Sequence, residues 1–429
     1  MEAIEKLTLA KKMKTIRIAL GITQLELATN MGRSHTTIEH YENNRIIVTN
    51  ANYKAFKQTL DMEDVPLKDE EIAAFIKEVL YPWNNMLNTG NTKKAKELQP
   101  RISYCVKWSY DENLQILYDL FSIRFYYGID KREECDKIIE SLRKREPEFT
   151  DEQIYWYYRY LGCIEHTACR YKSALALYYK AEKIGKSLDL NDNTYYYNIG
   201  NCLVFMGYYS LAVECLEKIQ LKGIELYGIW RGANIQKLLA VCYSKLGKTD
   251  KALVMLYDCL EYFLSLKQSN RIGIGAIYLD IGKVHHDAGN FEKALECFDI
   301  AYQYHDEKNE AYIAFLCKKA LFLRINNRKD GVAECLDKCL PLVTKGTLWY
   351  EWINGIKHSL TLDNQPSVDY IEWTTIPKIN EHGCYWLMME FYAILSSFFE
   401  KESKYKLALE YRNRTFLTYK KLMEGDLSL

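Results

Sequence analysis

Residues 278–302 read YLDIGKVHHDAGNFEKALECFDIAY, and residues 197–219 read YNIGNCLVFMGYYSLAVECLEKI. Aligned on Gly282 and Gly200, each has a second glycine seven residues on, an alanine twelve on and a large apolar residue sixteen on: Gly289, Ala294 and Phe298 in one, Gly207, Ala212 and Leu216 in the other. Small residues at the first and third positions let two antiparallel helices approach closely, and the glycine between them reverses the chain. Gly162, Ala174 and Tyr178 fit the same frame, as do Ala240, Gly247, Ala252 and Leu256. Fainter copies stand at Trp83/Ala95, Ile123/Cys135, Ala320/Val332, His358/Tyr370 and Ser396/Ala408, so the frame advances by 38 to 42 residues from position 83 onward. The stretch 341–380, with Pro341, Pro366 and Pro377, is the least regular.

The rest of the composition agrees with helices throughout. Only 7 of 429 residues are proline and 14% are aromatic, without long alternating Val/Ile/Thr segments, which favours an all-α chain with short connections. Hydrophobic residues at 48% and charged residues at 27% are those of a globular protein able to bury a sizeable core. The opening MEAIEKLTLAKKMK mixes charges where a signal peptide needs an apolar run. The most apolar run, Trp386 to Phe399, contains Glu390 and falls short of the roughly 20 residues that span a bilayer. Thirteen cysteines, none in a CxxC pair, sit mostly at apolar helix positions such as Cys202, Cys215, Cys242 and Cys297. They read as reduced core residues, so the expectation is a cytoplasmic protein with no membrane association, no disulfides, no metal and no cofactor.

A repeat with this frame resembles the tetratricopeptide pattern, whose helix pairs stack into a right-handed superhelix with a concave groove suited to a peptide.

The head of the chain reads differently. Residues 1–62 carry nine lysines and arginines against six acids, a net +3 offset by −3 in the remainder. LAKKMKTIRIALGITQLELATNMGRSHTTIEHYENNR, from Leu9, divides into three short helices: Gly21 ends the first, Thr23 caps the second, Gly32 stops it, and Ser34 caps a third reaching about Asn43. The second helix presents Leu25, Leu27, Ala28 and Met31; Ala28 is the small residue at the crossing, and Ile38 and Tyr41 turn the third helix inward. His35, Thr36, Glu39 and His40 then form the outward face, four polar side chains able to address base edges in a major groove. The segment 61–71, DMEDVPLKDEE, is an acidic connector. The expected division is a helix-turn-helix domain over 1–62, a connector over 63–71 and a repeat domain over 72–429.

The head resembles the Xre class and the lambdoid phage repressors, matching their pattern at Thr23, Gln24, Leu27, Ala28, Gly32, Ser34, Thr37, Ile38, Glu42 and Asn43. The resemblance implies that Gln24, Asn43 and Arg45 hold phosphates, that His35, Thr36 and His40 read bases, and that Arg17 and Glu42 form an ion pair inside the domain. Arg33 stands where that family has an apolar residue and is a further phosphate candidate; Asn44 replaces a glycine, which asparagine's tolerance of left-handed backbone allows.

An Xre-type head on a helical-repeat body resembles the RNPP family of peptide-pheromone receptors of Gram-positive bacteria. That resemblance implies a homodimeric, quorum-sensing transcription regulator, with double-stranded DNA of two-fold repeated sequence and a short signalling peptide as partners. The alternatives are a repeat-domain regulator of a response-regulator phosphorelay and a scaffold holding a protein partner. In a tetratricopeptide unit the inward positions lie six, three and two before, and one and four after, the small residue of the first helix. This selects Arg159 and His166, Asn198 and Asn201, Asn234 and Lys237, Lys283 and His286, and Lys318 and Arg324 in successive units. Asparagine donates and accepts, so it can hold an extended backbone, and the cations can take a carboxylate.

Enzyme chemistry finds no footing in the motifs. LGKTD (246–250) has the GKT of a phosphate loop, but Cys242 stands where its first glycine belongs and no strand precedes it. Gly273 and Gly275 begin a GxGxxG that ends at Tyr278, and His285 and His286 lie on a repeat helix. The expectation is a protein that is not an enzyme.

Overall fold

The computed structural model describes residues 8–61, 68–89, 91–188, 194–265, 271–304, 310–325, 328–362 and 365–428. Every regular element among them is helical. The chain divides into two compact units, Met1–Tyr160 and Leu161–Leu429. Most of the acidic connector lies outside the described residues.

The first unit opens with α1 (Leu9–Leu20), α2 (Gln24–Asn30), α3 (His35–Glu42) and α4 (Asn50–Thr59). Each of the first three starts on a hydroxyl cap, at Thr8, Thr23 and Ser34, and Thr23 and Glu26 close a full capping box. Gly21, Gly32 and Asn44 take positive φ (76°, 59° and 55°) at the three turns, so the punctuation in the sequence is where the backbone reverses. Leu27, Ala28, Ile38 and Tyr41 are buried between the helices. Leu25 is not: it is 62% exposed, in the first turn of a two-turn helix whose buried residues are Leu27 and Ala28.

The unit continues with α5 (Asp69–Asn88), α6 (Thr92–Ser109), α7 (Glu112–Gly128), α8 (Arg132–Arg145) and the first part of α9 (Asp151–Thr167). The head packs on α5 and α6. The Cys105 thiol donates to Thr15 O at 3.6 Å, fully buried Lys12 reaches Asp69 at 3.3 Å, and Lys11 Nζ lies 4.7 Å from the Trp108 ring.

The second unit holds α10 (Tyr171–Ser187), α11 (Thr194–Met206), α12 (Tyr209–Lys245), α13 (Thr249–Ser265), α14 (Arg271–Asp287), α15 (Phe291–Tyr304), α16 (Glu310–Ile325) and α17 (Lys329–Cys339). It ends with α18 (Leu348–Leu360), α19 (Gln365–Tyr370), a π-turn at Ile371–Thr375, α20 (Ile376–His382), α21 (Tyr385–Lys401) and α22 (Tyr405–Glu424). The sequence frame is a packing rule. A β-carbon on Gly162, Gly200 or Gly282 would meet Tyr178, Leu216 or Phe298 at 2.5, 2.8 and 2.7 Å, the large residue sixteen positions on in each case. The faint copies obey it too. Trp83 Nε1 donates to Ala95 O at 2.9 Å, the Cys135 thiol to Ile123 O at 3.6 Å and Ser396 Oγ to Ala408 O at 2.9 Å, while His358 stacks on Tyr370 at 4.1 Å.

Two features depart from a regular array. α12 runs unbroken for 37 residues, fusing the second helix of one repeat to the first of the next. And the second unit closes on itself. His382 Nδ1 donates to Cys169 O at 3.0 Å, and Phe205 O accepts from both the Cys384 thiol (3.4 Å) and Trp386 Nε1 (3.0 Å). Tyr208 OH donates to Asp426 O at 2.9 Å beside these contacts.

Candidate functional site

In the head, His35 and Thr36 are exposed on α3, and Glu39 and His40 are partly covered beside them. Arg33 and Asn43, at the two ends of the helix, are exposed, as is Arg45, whose guanidinium lies 3.6 Å from Glu39. α3 is held by one buried carboxylate. Glu42 accepts from Arg17 Nε at 2.5 Å, Arg17 Nη2 at 2.9 Å and Gln24 Nε2 at 2.8 Å, and Arg17 Nη1 donates to Ile22 O at 2.6 Å. A buried carboxylate is tolerable only when its lone pairs are filled, and here the filling ties α1, α2 and α3 together. Gln24 is thereby oriented from the inside, at the start of α2.

In the second unit a cavity of about 210 Å³ is lined by first helices of successive repeats. α14 contributes Ala276, Leu279, Asp280 and Lys283, α12 contributes Lys237, Leu238 and Val241, and α11 contributes Val204 and Phe205. Trp349 and Trp386 face them from α18 and α21. Lys237 Nζ lies 4.0 Å from Asp280, and Lys283 Nζ lies 5.3 Å from the centre of the Trp386 ring. The cavity is thus an apolar slot with two ammonium groups and one carboxylate.

Charges continue beyond its wall. Asp287 meets Lys245 Nζ at 2.5 Å and His286 Nδ1 at 3.4 Å. Burial works to raise its pKa, but the hydrogen bonds from His286 and Lys245 and the charges of Lys245 and Lys283 outweigh it and hold the group at about 2. Glu390, on α21, accepts from Trp352 Nε1 at 3.3 Å. Burial lifts it to about 7 against the lowering effect of that bond and of Arg324, Lys283 and Lys245. Arg324 donates to Ser359 Oγ at 3.0 Å, and burial lowers its pKa.

Of the groove residues selected by repeat position, Lys237 and Lys283 line the cavity. His286 packs against Phe291 and Phe322, and Arg324 faces Glu390, behind the wall. His166 lies against Tyr171 and Phe205, both lining residues, and burial lowers its pKa to about 4. Asn198, Asn201 and Asn234 are partly exposed on the same helices, without entering the cavity. Arg159 is buried in the first unit, its guanidinium 4.7 Å from the Trp156 ring. The Lys318 side chain lies outside the described residues. Asp280, Trp349 and Trp386 were not selected. Asp280 stands at an inward position of the repeat, two before Gly282. The tryptophans carry no repeat signal.

No family model matches the chain. It is 21% identical over 415 residues, 89% of this chain and 96% of the relative, to the transcriptional activator NprA of Geobacillus stearothermophilus. It is also 21% identical over 274 residues, 60% of this chain and 72% of the relative, to response regulator aspartate phosphatase E of Bacillus subtilis. Among solved structures, NprR in complex with its cognate peptide NprX superposes with a TM-score of 0.70 at 17% identity, covering 80% of this chain and 98% of that one. The likeness to NprR shows that the chain shares its all-α, tetratricopeptide-like repeat fold.

Proposed function

We propose that this chain is a peptide-responsive transcription regulator of quorum-sensing type, in which a short peptide bound among the repeats alters binding of the head to an operator. The observation that carries the reading is the slot between α11, α12 and α14, apolar with two lysines and an aspartate, joined in one chain to a helix-turn-helix with His35 and Thr36 exposed. Apolar walls with a few placed charges are how small ligands are held and oriented. An apolar side chain fills the slot, Lys237 and Lys283 take a carboxylate, and Asn198, Asn201 and Asn234 hold the backbone outside it. His166, His286 and Arg324 support the walls.

On the DNA side His35, Thr36, Glu39 and His40 read bases, and Gln24, Arg33, Asn43 and Arg45 hold phosphates. The protein acts in the cytoplasm as a homodimer on a two-fold repeated site, since one such head buries little surface, and it is not an enzyme. The test is to sequence the DNA recovered with the protein, with and without extract from cells of the same strain. A common two-fold motif whose recovery changes with extract is expected; recovery of arbitrary DNA would overturn the reading. In gel shifts, Thr36→Ala or His40→Ala relaxes sequence choice by about 1–3 kcal/mol per lost base contact, whereas Gln24→Ala or Arg45→Ala weakens all DNA alike. Asn198→Ala with Asn201→Ala leaves peptide-free DNA binding intact and removes the response to extract.

The similarity to response regulator aspartate phosphatase E favours a second reading, regulation of a response-regulator phosphorelay. Loss of aspartyl phosphate from a receiver domain in the presence of the protein, without DNA recovery, would establish it instead.

A further inference from the structure

The contacts between α1 and α6 run antiparallel. Lys11 lies over the Trp108 ring, Thr15 O accepts from the Cys105 thiol, and at the far end the Arg101 guanidinium lies against Gly21. Gly21 closes α1 at φ 76° and leads through Thr23, the cap of α2, to Gln24. A β-carbon on Gly21 would fall on Arg101 Nη1 and stand 3.2 Å from Cζ, so the bare glycine is what lets the guanidinium lie on this turn. Arg101 makes no hydrogen bond or ion pair among the described residues, and its Nε is buried without an acceptor. In this it differs from Arg17, whose guanidinium is taken up by Glu42 and Ile22 O. A partly buried guanidinium with open donors costs free energy until acceptors fill them, and its planar fork matches a phosphate. Glu97 and Lys94 stand four and seven residues before Arg101 on the same stripe of α6, opposite in sign and both exposed, so the guanidinium is the net charge that this stripe offers.

We propose that Arg101 holds a phosphate of bound DNA beside the one assigned to Gln24, so that the second helix of the first repeat forms part of the DNA-binding surface. This contact rests on the reading of the head as a DNA-binding domain. It lies outside the helix-turn-helix and touches no base, so it adds affinity without sequence choice. A cation at the C-terminal end of α1 also suits the helix dipole, and salt dependence separates that structural effect from a phosphate contact.

The full chain is titrated by fluorescence anisotropy against a random-sequence duplex of about 30 base pairs, between about 50 and 200 mM potassium chloride. Each phosphate contact contributes about 0.9 to the slope of log affinity against log salt, so Arg101→Gln is expected to flatten the slope by about 1 and to weaken binding severalfold at the lower salt. Arg101→Lys keeps the charge and the wild-type slope. Lys107→Gln, an exposed cation at the other end of α6, leaves the slope unchanged. Melting curves are recorded for each variant, because a purely structural arginine would lower the melting temperature and leave the slope alone. An Arg101→Gln chain with the wild-type slope overturns the phosphate contact whatever its melting temperature, and so does an equal flattening by Lys107→Gln, which would mark a diffuse effect of charge. A wild-type chain without salt-dependent affinity for the duplex overturns the DNA-binding reading itself, and the Arg101 contact with it.

Discussion

Gly282 lets α14 and α15 touch: a methyl group there would lie 2.7 Å from the Phe298 ring and 3.1 Å from Ala294 O. Ala240 fills the same frame position opposite the narrower Leu256. Gly282→Ala is therefore expected to cost about 1–3 kcal/mol by overpacking, enough to exceed the roughly 1 kcal/mol that alanine gains over glycine in a helix. Phe298→Leu in the same chain copies the Ala240–Leu256 pair and recovers most of that loss. Urea melts of the four chains decide it, and strictly additive losses would refute the knob-and-gap account.

Two buried groups give the second unit opposite responses to pH. His166 has its pKa lowered to about 4, so folding disfavours its protonation, and stability is lost as pH falls from about 6.5 toward 4. Glu390 has its pKa raised to about 7, so folding favours its protonation, and its stabilisation is lost as pH rises from about 4.5 through 7. Each effect is on the order of 3 kcal/mol. Glu390→Gln should raise the melting temperature at pH 8 and leave it nearly unchanged at pH 4. An equal shift at both values would mean that Gln acts through packing instead.

Among elements, α3 shows the clearest dependence on a single interaction. Arg17→Ala leaves Glu42 buried without its main partner, a change expected to cost about 3–5 kcal/mol. The head should then melt while the repeats keep most of the helical signal; a far-ultraviolet thermal scan that shows no early step would argue against it. The head was legible because its signals are local: Thr23, Gly32 and Ser34 act on backbone within four residues of themselves. Leu25 escaped because two helical turns do not define a periodic face. α12 was hidden for the converse reason. The repeat frame places Ala212 and Ala240 in separate units, yet one helix carries through from Tyr209 to Lys245.

At the scale of the molecule, the repeats were legible as spacings, and the inward positions of that frame fall on part of the cavity wall: those around Gly282 include Ala276, Leu279, Asp280 and Lys283, although only Lys237 and Lys283 of the lining residues are among those selected from the sequence. What closes the cavity was not. Trp386 and Phe205 are 181 residues apart, and the contact depends on how many hairpins intervene and how each turns, which no local pattern encodes. Removing the indole donor by Trp386→Phe should weaken the closure without emptying the core. The expected sign is faster proteolysis between residues 378 and 390, slowed by extract containing the peptide; unchanged cleavage would show that the closure does not depend on this bond.

A linear stack of repeats frays from its ends, because each hairpin leans only on its neighbours and the outermost has one neighbour missing. The bonds from Cys384 and Trp386 to Phe205, and from His382 to Cys169, give the later hairpins of this unit a second set of neighbours. Thermally, a stack so joined has fewer loose places to begin melting. Amide hydrogens of α10, α11 and α21 should then exchange together, at the rate of opening of the whole unit, and a graded series of rates along the chain would show that the join bears no load.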